Sequence, residues 1–351
     1  VFSTMGASES AARIALVDTG VLVEWHSNQH GPTGIGAGGI LRNEGIVYLA
    51  GNKGLAVMDT VNPAETKRVG SVIDTGALAY DAGSDMIMDS NLLYVAGGNG
   101  LVVMDVGDKL KPTLIGSVID TGALAFNGGV SMALVKEASV LYVAGGRGLA
   151  VMSIANPAVP ARVGGVIDTG ALSGCQTGVA ILVLPGTNLM YVLGGKGLAV
   201  FEISNPMAPL RIGDVINTGA TSYQGGAAMV ATGEALYVAG ANGLVALSLA
   251  DIRKPSVVGS VIDTGCISWQ SGCAMVLEGS YLVVAGGKGM GIVSIADPLK
   301  PEFVGSVIET GAIGDSSGCG MLKATSDNAL FVMGGKGLAV FDLEALLAAA
   351  K

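Results

Sequence analysis

The triplet Asp-Thr-Gly behind two apolar residues is the loop of an aspartic protease, and Val72-Ile73-Asp74-Thr75-Gly76 is one such phrase here. In that chemistry two carboxylates about 3 Å apart share one proton, so that one serves as base and the other as acid. Two facing copies are enough. This chain repeats the phrase with Asp18, Asp74, Asp120, Asp168, Asn217, Asp263 and Glu309 at the acidic position. Neighbouring copies are 46 to 49 residues apart after a first interval of 56. A regular period marks a repeat architecture and must be settled before any motif is interpreted. The copies are therefore read as structural repeats, and the protease is set aside.

Beyond each acid the repeat breaks its own rule. About six residues on, the chain places Trp25 and His26 in the first copy, then Tyr80 and Asp81, then Phe126 and Asn127. Later copies have Gln176, then Tyr223 and Gln224, Trp269 and Gln270, and Asp315. Aromatic, amide and carboxylate groups gathered at one place could hold a small molecule or a peptide. The competing reading is that these aromatics pack on one another as a plug. Both histidines, His26 and His30, lie in the long stretch after the first acid. They are weak metal candidates, since a site needs three or four ligands and only Glu24 or a distant Cys could join them. No Ser-His-Asp arrangement is evident.

The elements that would position these residues come from the period. In residues 128–170, Gly129–Lys136, Val140–Gly146, Gly148–Ile154 and Ala161–Asp168 read as four short strands. A Gly-Gly-Arg-Gly turn and a loop with Pro157 and Pro160 separate them. Glycine supplies the positive φ of tight turns, and proline cannot donate to a ladder. Four strands in about 47 residues make one propeller blade. A helical period is seen only at the C-terminus, where Glu344 onward reads as a short helix.

A second phrase keeps the same beat, from VYLAGNKGLAVMD to FVMGGKGLAVFD, giving seven blades. The seventh lacks a fourth strand after Leu343, and Ala12–Gly20 matches the fourth-strand phrase Ala161–Gly170. The N-terminal strand is therefore expected to complete the last blade, which removes two free edges. The fold expected is all-β, one domain over 1–351. Residues 11–20 form the outer strand of blade 7, followed by blades 36–76, 82–122, 128–170, 176–219, 225–265 and 271–311. Residues 317–343 give the inner three strands of blade 7, and 344–351 a tail. The segments Leu55–Pro63, Leu149–Pro157 and Leu198–Pro206 resemble the LVIVD repeat of bacterial and archaeal propellers. That resemblance covers about residues 36–343. It implies the fold and says almost nothing of activity.

Strands alternate in direction, so loops segregate. The GGKG-type turns, with Lys53, Asn99, Arg147, Lys196, Asn242, Lys288 and Lys336, share the top face with the acids. The expectation is a rim of ion pairs and capped turns. A set of equivalent ligand sites, as in a lectin, is the alternative, though only 5% of residues are aromatic. The variable connections should line the upper mouth of the channel.

The bulk numbers narrow the classes. Half the residues are hydrophobic, 13% are charged, and the mean hydropathy is +0.59. Every apolar run is cut by glycine pairs or charge well short of the ~20 residues that span a bilayer, and stacked sheets buried on both faces also read this apolar. A net charge of −9 without a basic stripe argues against nucleic acid. Four cysteines, Cys175, Cys266, Cys273 and Cys319, form no CxxC pair. The chain begins at Val1, from which an extracytoplasmic or organellar-lumen compartment after loss of a presequence is expected. The function expected is a non-enzymatic binding or protein-interaction scaffold, engaging another protein or a small ligand at the top face without a cofactor. The alternative is an enzyme, or a lectin-like or metal-binding module, at the channel mouth.

Overall fold

In a computed structural model, residues 12–21, 39–79, 82–125, 128–172, 178–268, 271–314 and 318–349 are described. They form seven separate antiparallel sheets of four strands. Blade 3 is representative, with strands Val130–Val135, Val140–Gly145, Gly148–Ser153 and Ala161–Ile167. Its second strand is buried along its whole length, because neighbouring blades cover both faces of the sheet. The outer strand is the exposed one, with four of its seven residues exposed and none buried.

Two glycine-dependent features repeat. Gly148 closes the turn between the second and third strands at φ +136°, and a Cβ there would collide with the Ile167 carbonyl. Gly164, at φ +68°, sits in the outer strand, whose register slips between Leu149 and Val151. The slip is a bulge that bends the outer strand along the blade's twist.

The innermost strands touch one another in sequence around an axis. Gly39–Asn43 meets Asp85–Asp89, and the chain of contacts runs through blades 3 to 6 to Gly320–Ala324, which meets Gly39–Asn43 again. The ring thus closes after seven blades. The strand Arg13–Val17 pairs antiparallel with Gly337–Asp342 and completes the last sheet, as the repeat requires. The core lies between blades rather than within them. Tyr48, Leu55 and Val57 of blade 1, for example, pack with Leu93, Val95 and Met104 of blade 2.

At the bottom face a tyrosine pins each of five blades to the next. Tyr48, Tyr94, Tyr142, Tyr191 and Tyr237 each donate a hydroxyl proton, over 2.7 to 3.0 Å, to a carbonyl in the next blade's loop between strands three and four. Burial pushes these phenols up to about 12. Blade 6 has Val283 instead. Its neighbour, blade 7, has no such loop, because the chain passes from Asp342 into the helix Leu343–Ala349. Val283 packs in one cluster with Leu343 and Leu346 of that helix. Blade 7 has Phe331 at the same position although blade 1 keeps its loop, so two of the seven boundaries lack the pin.

Candidate functional site

The Asp-Thr-Gly phrases sit on the top face as joints between blades. Asp18, Asp74, Asp120, Asp168, Asn217 and Asp263 each accept the N–H of their own glycine two residues on, at 2.8 to 3.0 Å. The threonines are buried, and Thr121, Thr169 and Thr310 accept backbone N–H groups two or three residues further on. The threonine carbonyls Thr19, Thr121, Thr169 and Thr310 receive guanidinium protons from Arg68, Arg162, Arg211 and Arg13. Each of these arginines lies on the outer strand of the following blade. The glycine must be bare as well as left-handed, since a Cβ at Gly122 would overlap the Arg162 side chain. In six of the seven copies the acidic position is thus bonded to its own loop, one at each blade boundary, which is not a pair of carboxylates sharing a proton.

The second top-face phrase stitches in the same direction. Backbone N–H groups of Lys53, Asn99, Arg147, Lys196, Asn242, Lys288 and Lys336 donate to Val21, Ala77, Ala123, Ala171, Ala220, Cys266 and Ala312, at 2.8 to 3.2 Å. Asn99 and Asn242 add side-chain bonds to the carbonyls on either side of that contact. These turns hold neighbouring blades together and do not form an anion cradle.

Inward of this rim the chain descends to the axis through a collar of close backbone approaches. Gly83 N–H donates to Gly128, Gly178 to Gly225, and Gly226 to Ser271, at 2.7 to 3.0 Å. A Cβ at Gly178, Gly226 or Gly272 would overlap the backbone of the next blade. Just below, the first level of the ring holds Gly39, Asp85, Ser131, Ala180, Ala228, Ala274 and Gly320, placed by their common register. Among seven small or polar residues there is one ionisable group. Asp85 accepts the N–H of Met86 at 2.8 Å and, across the blade boundary, that of Met132 at 2.7 Å. Ser131 makes the same crossing by accepting Ile181 N–H at 3.1 Å. Burial pushes the Asp85 carboxyl up to about 6, outweighing the two backbone donors that lower it. The sequence reading missed Asp85. Its signal was an acid at the strand position where other blades carry Gly, Ala or Ser.

Of the proposed mouth residues, Tyr223 and Gln224 are placed. Tyr223 is 60% exposed, and the Gln224 carbonyl accepts the Ser222 hydroxyl at 2.7 Å. Trp25, His26, His30, Tyr80, Asp81, Phe126, Asn127, Gln176, Trp269, Gln270 and Asp315 lie outside the described residues. Among the described residues, no three His, Cys, Asp or Glu side chains form a group that could hold a metal. Cys266, Cys273 and Cys319 are free and buried, so the matching positions of the last two do not make a disulfide. Burial raises all three thiols. No helix among the described residues is long and apolar enough to cross a membrane.

With this geometry in hand, the LVIVD repeat profile matches residues 84–120 and 271–309, the bodies of blades 2 and 6. The chain is a seven-bladed propeller that carries the LVIVD repeat in two of its blades. No curated protein matches this LVIVD propeller in sequence. Solved structures match it in fold. Virginiamycin B lyase from Staphylococcus aureus superposes with a TM-score of 0.59 at 10% identity, over 90% of this chain and 96% of that one. A protein from Lactobacillus plantarum gives 0.59 at 12% identity, over 78% and 84%. PorZ, a surface component of the type-IX secretion system of Porphyromonas gingivalis, gives 0.54 at 16% identity, over 92% of this chain and 38% of that one. At such identities the likeness speaks to the ring of blades alone.

Proposed function

We propose that this LVIVD propeller is a binding module that engages a small ligand or another protein over the channel mouth of its top face. The observation that carries the reading is a division of labour on that face. The repeated acids, threonines and turn amides are bonded to the chain's own backbone. What differs from blade to blade is the connection leading to the axis, where Tyr223 stands exposed. Fold needs only the repeated positions, so recognition falls to the varied ones.

The test is native mass spectrometry of the protein isolated from its own source. A stoichiometric bound mass that is lost in Tyr223→Ala, with the fold intact, is the expected outcome. A bound mass that survives this substitution undisturbed moves the site elsewhere.

Catalysis at the same mouth is the second reading, and Asp85 favours it. A carboxyl poised near pH 6 at the top of the channel has the proton affinity of a general acid or base. A bound molecule that is chemically altered by the protein but not by Asp85→Asn would replace the first reading with this one.

A further inference from the structure

The bottom face carries a surface beside two of the tyrosine pins, whose acceptors Pro206 and Ile252 line it. Blade 4 has the shortest inner strand, Ala180–Val183, and a longer turn over Leu184-Pro185-Gly186-Thr187-Asn188 in place of the tight turn of blades 1 and 2. Leu184 N–H bonds across this turn to Leu189, and Thr187 closes it on Leu184. The rim dips there. Between blades 3 and 4 it leaves a groove of about 510 Å³ whose walls include Leu134, Ala138, Val183, Pro185, Ile203 and Pro206. A second groove of about 550 Å³ lies between blades 4 and 5 and shares Thr187 and Asn188 with the first. The two form one trough across blade 4. Val159 and Leu210, 61% and 68% exposed, stand on the same face in blades 3 and 4.

Charge selects the occupant. Glu137 lies at the blade 3 end, and Glu202 and Asp251 lie at the other. The one cation among the described lining residues, Arg253, is already paired with Glu202 at 2.9 Å. With Glu202 and Arg253 spent on each other, Glu137 and Asp251 leave the trough net negative above an apolar floor. A second copy of this chain, at net −9, would bring like charge, and so would an anionic lipid surface or a nucleic acid. We propose that the trough over blades 3 to 5 docks a segment of another protein that combines aliphatic side chains with lysine or arginine. The aliphatic groups would seat against Leu134, Val183 and Pro206, and the cations would meet Glu137 and Asp251. This site is on the opposite face from Tyr223, so the two readings stand or fall separately.

The probe is a fluorescein-labelled peptide of alternating lysine and leucine, compared with the same peptide carrying glutamate for lysine. Anisotropy should show binding of the basic peptide that weakens with salt, and none of the acidic one. Amide exchange should slow at residues 183–188 and 250–253. Ala138→Arg, which puts bulk and positive charge on the floor, should weaken binding at least about tenfold. Glu137→Gln should weaken it less, and Tyr223→Ala not at all. An unchanged melting temperature certifies each variant as folded. Equal binding of both peptides, binding indifferent to Ala138→Arg, or self-association in ultracentrifugation that Ala138→Arg abolishes would each overturn the proposal.

Discussion

Single side chains make two statements that can be tested. Asp85 is an acid whose folded value, about 6, lies above its ordinary 3.8. Folding then favours its protonated form, so the stability tied to it is full below about pH 4 and is lost as pH rises through about 6. Two units at about 1.4 kcal/mol each set an upper figure of about 3 kcal/mol, reduced by the solvent contact Asp85 keeps. Urea midpoints should fall over that window, and Asp85→Asn should flatten the profile. An Asn variant with the same slope would assign the effect to another group. The tyrosine pins give the second statement. Tyr142→Phe removes one hydroxyl from the Pro206 carbonyl and should lower stability by about 1 kcal/mol in denaturant unfolding. The pins were not read from the sequence, although Tyr recurs mid-strand in five blades. A hydroxyl in an apolar run names no acceptor until the next blade's loop has a place.

At the level of strands and turns, the sequence was far more transparent. The spans expected for blade 3 agree with the observed strands to within a residue or two, because glycine and proline punctuate each one. The terminal helix and the N-terminal closing strand were legible from the same phrase count. The collar was not. Periodicity shows that a glycine precedes each inner strand, while the reason is a backbone in another blade. Gly226→Ala tests that reason. Its Cβ would meet the backbone of Cys273, so overpacking should cost about 1 to 3 kcal/mol. Gly165→Ala, with nothing within reach of the added methyl, should be near neutral by comparison. Equal effects on the melting temperature would deny the collar its role.

On the scale of the whole ring, seven separate sheets hold because each inter-blade boundary is cross-linked by the same few bonds. The buried thiols give a global reporter. Cys266, Cys273 and Cys319 should resist a disulfide reagent in the native protein and react together on unfolding, since burial raises all three and each is fully covered. Reaction of any one under native conditions would show that its blade opens by itself. Deleting residues 12–17 should do more than a point substitution, because it bares the edge of Gly337–Asp342. A shift to larger species than the intact protein forms, read by size-exclusion chromatography, is the expected result.

That closing sheet also dictates a timetable. Of the described strands Arg13–Val17 is made first, yet its partner Gly337–Asp342 is made last. The first strand must wait unpaired while the strands of six further blades are made, and a ring stopped short of Asp342 keeps an open edge. A nascent chain of this kind is exposed to misassembly until Gly337–Asp342 has been made and the two strands can meet.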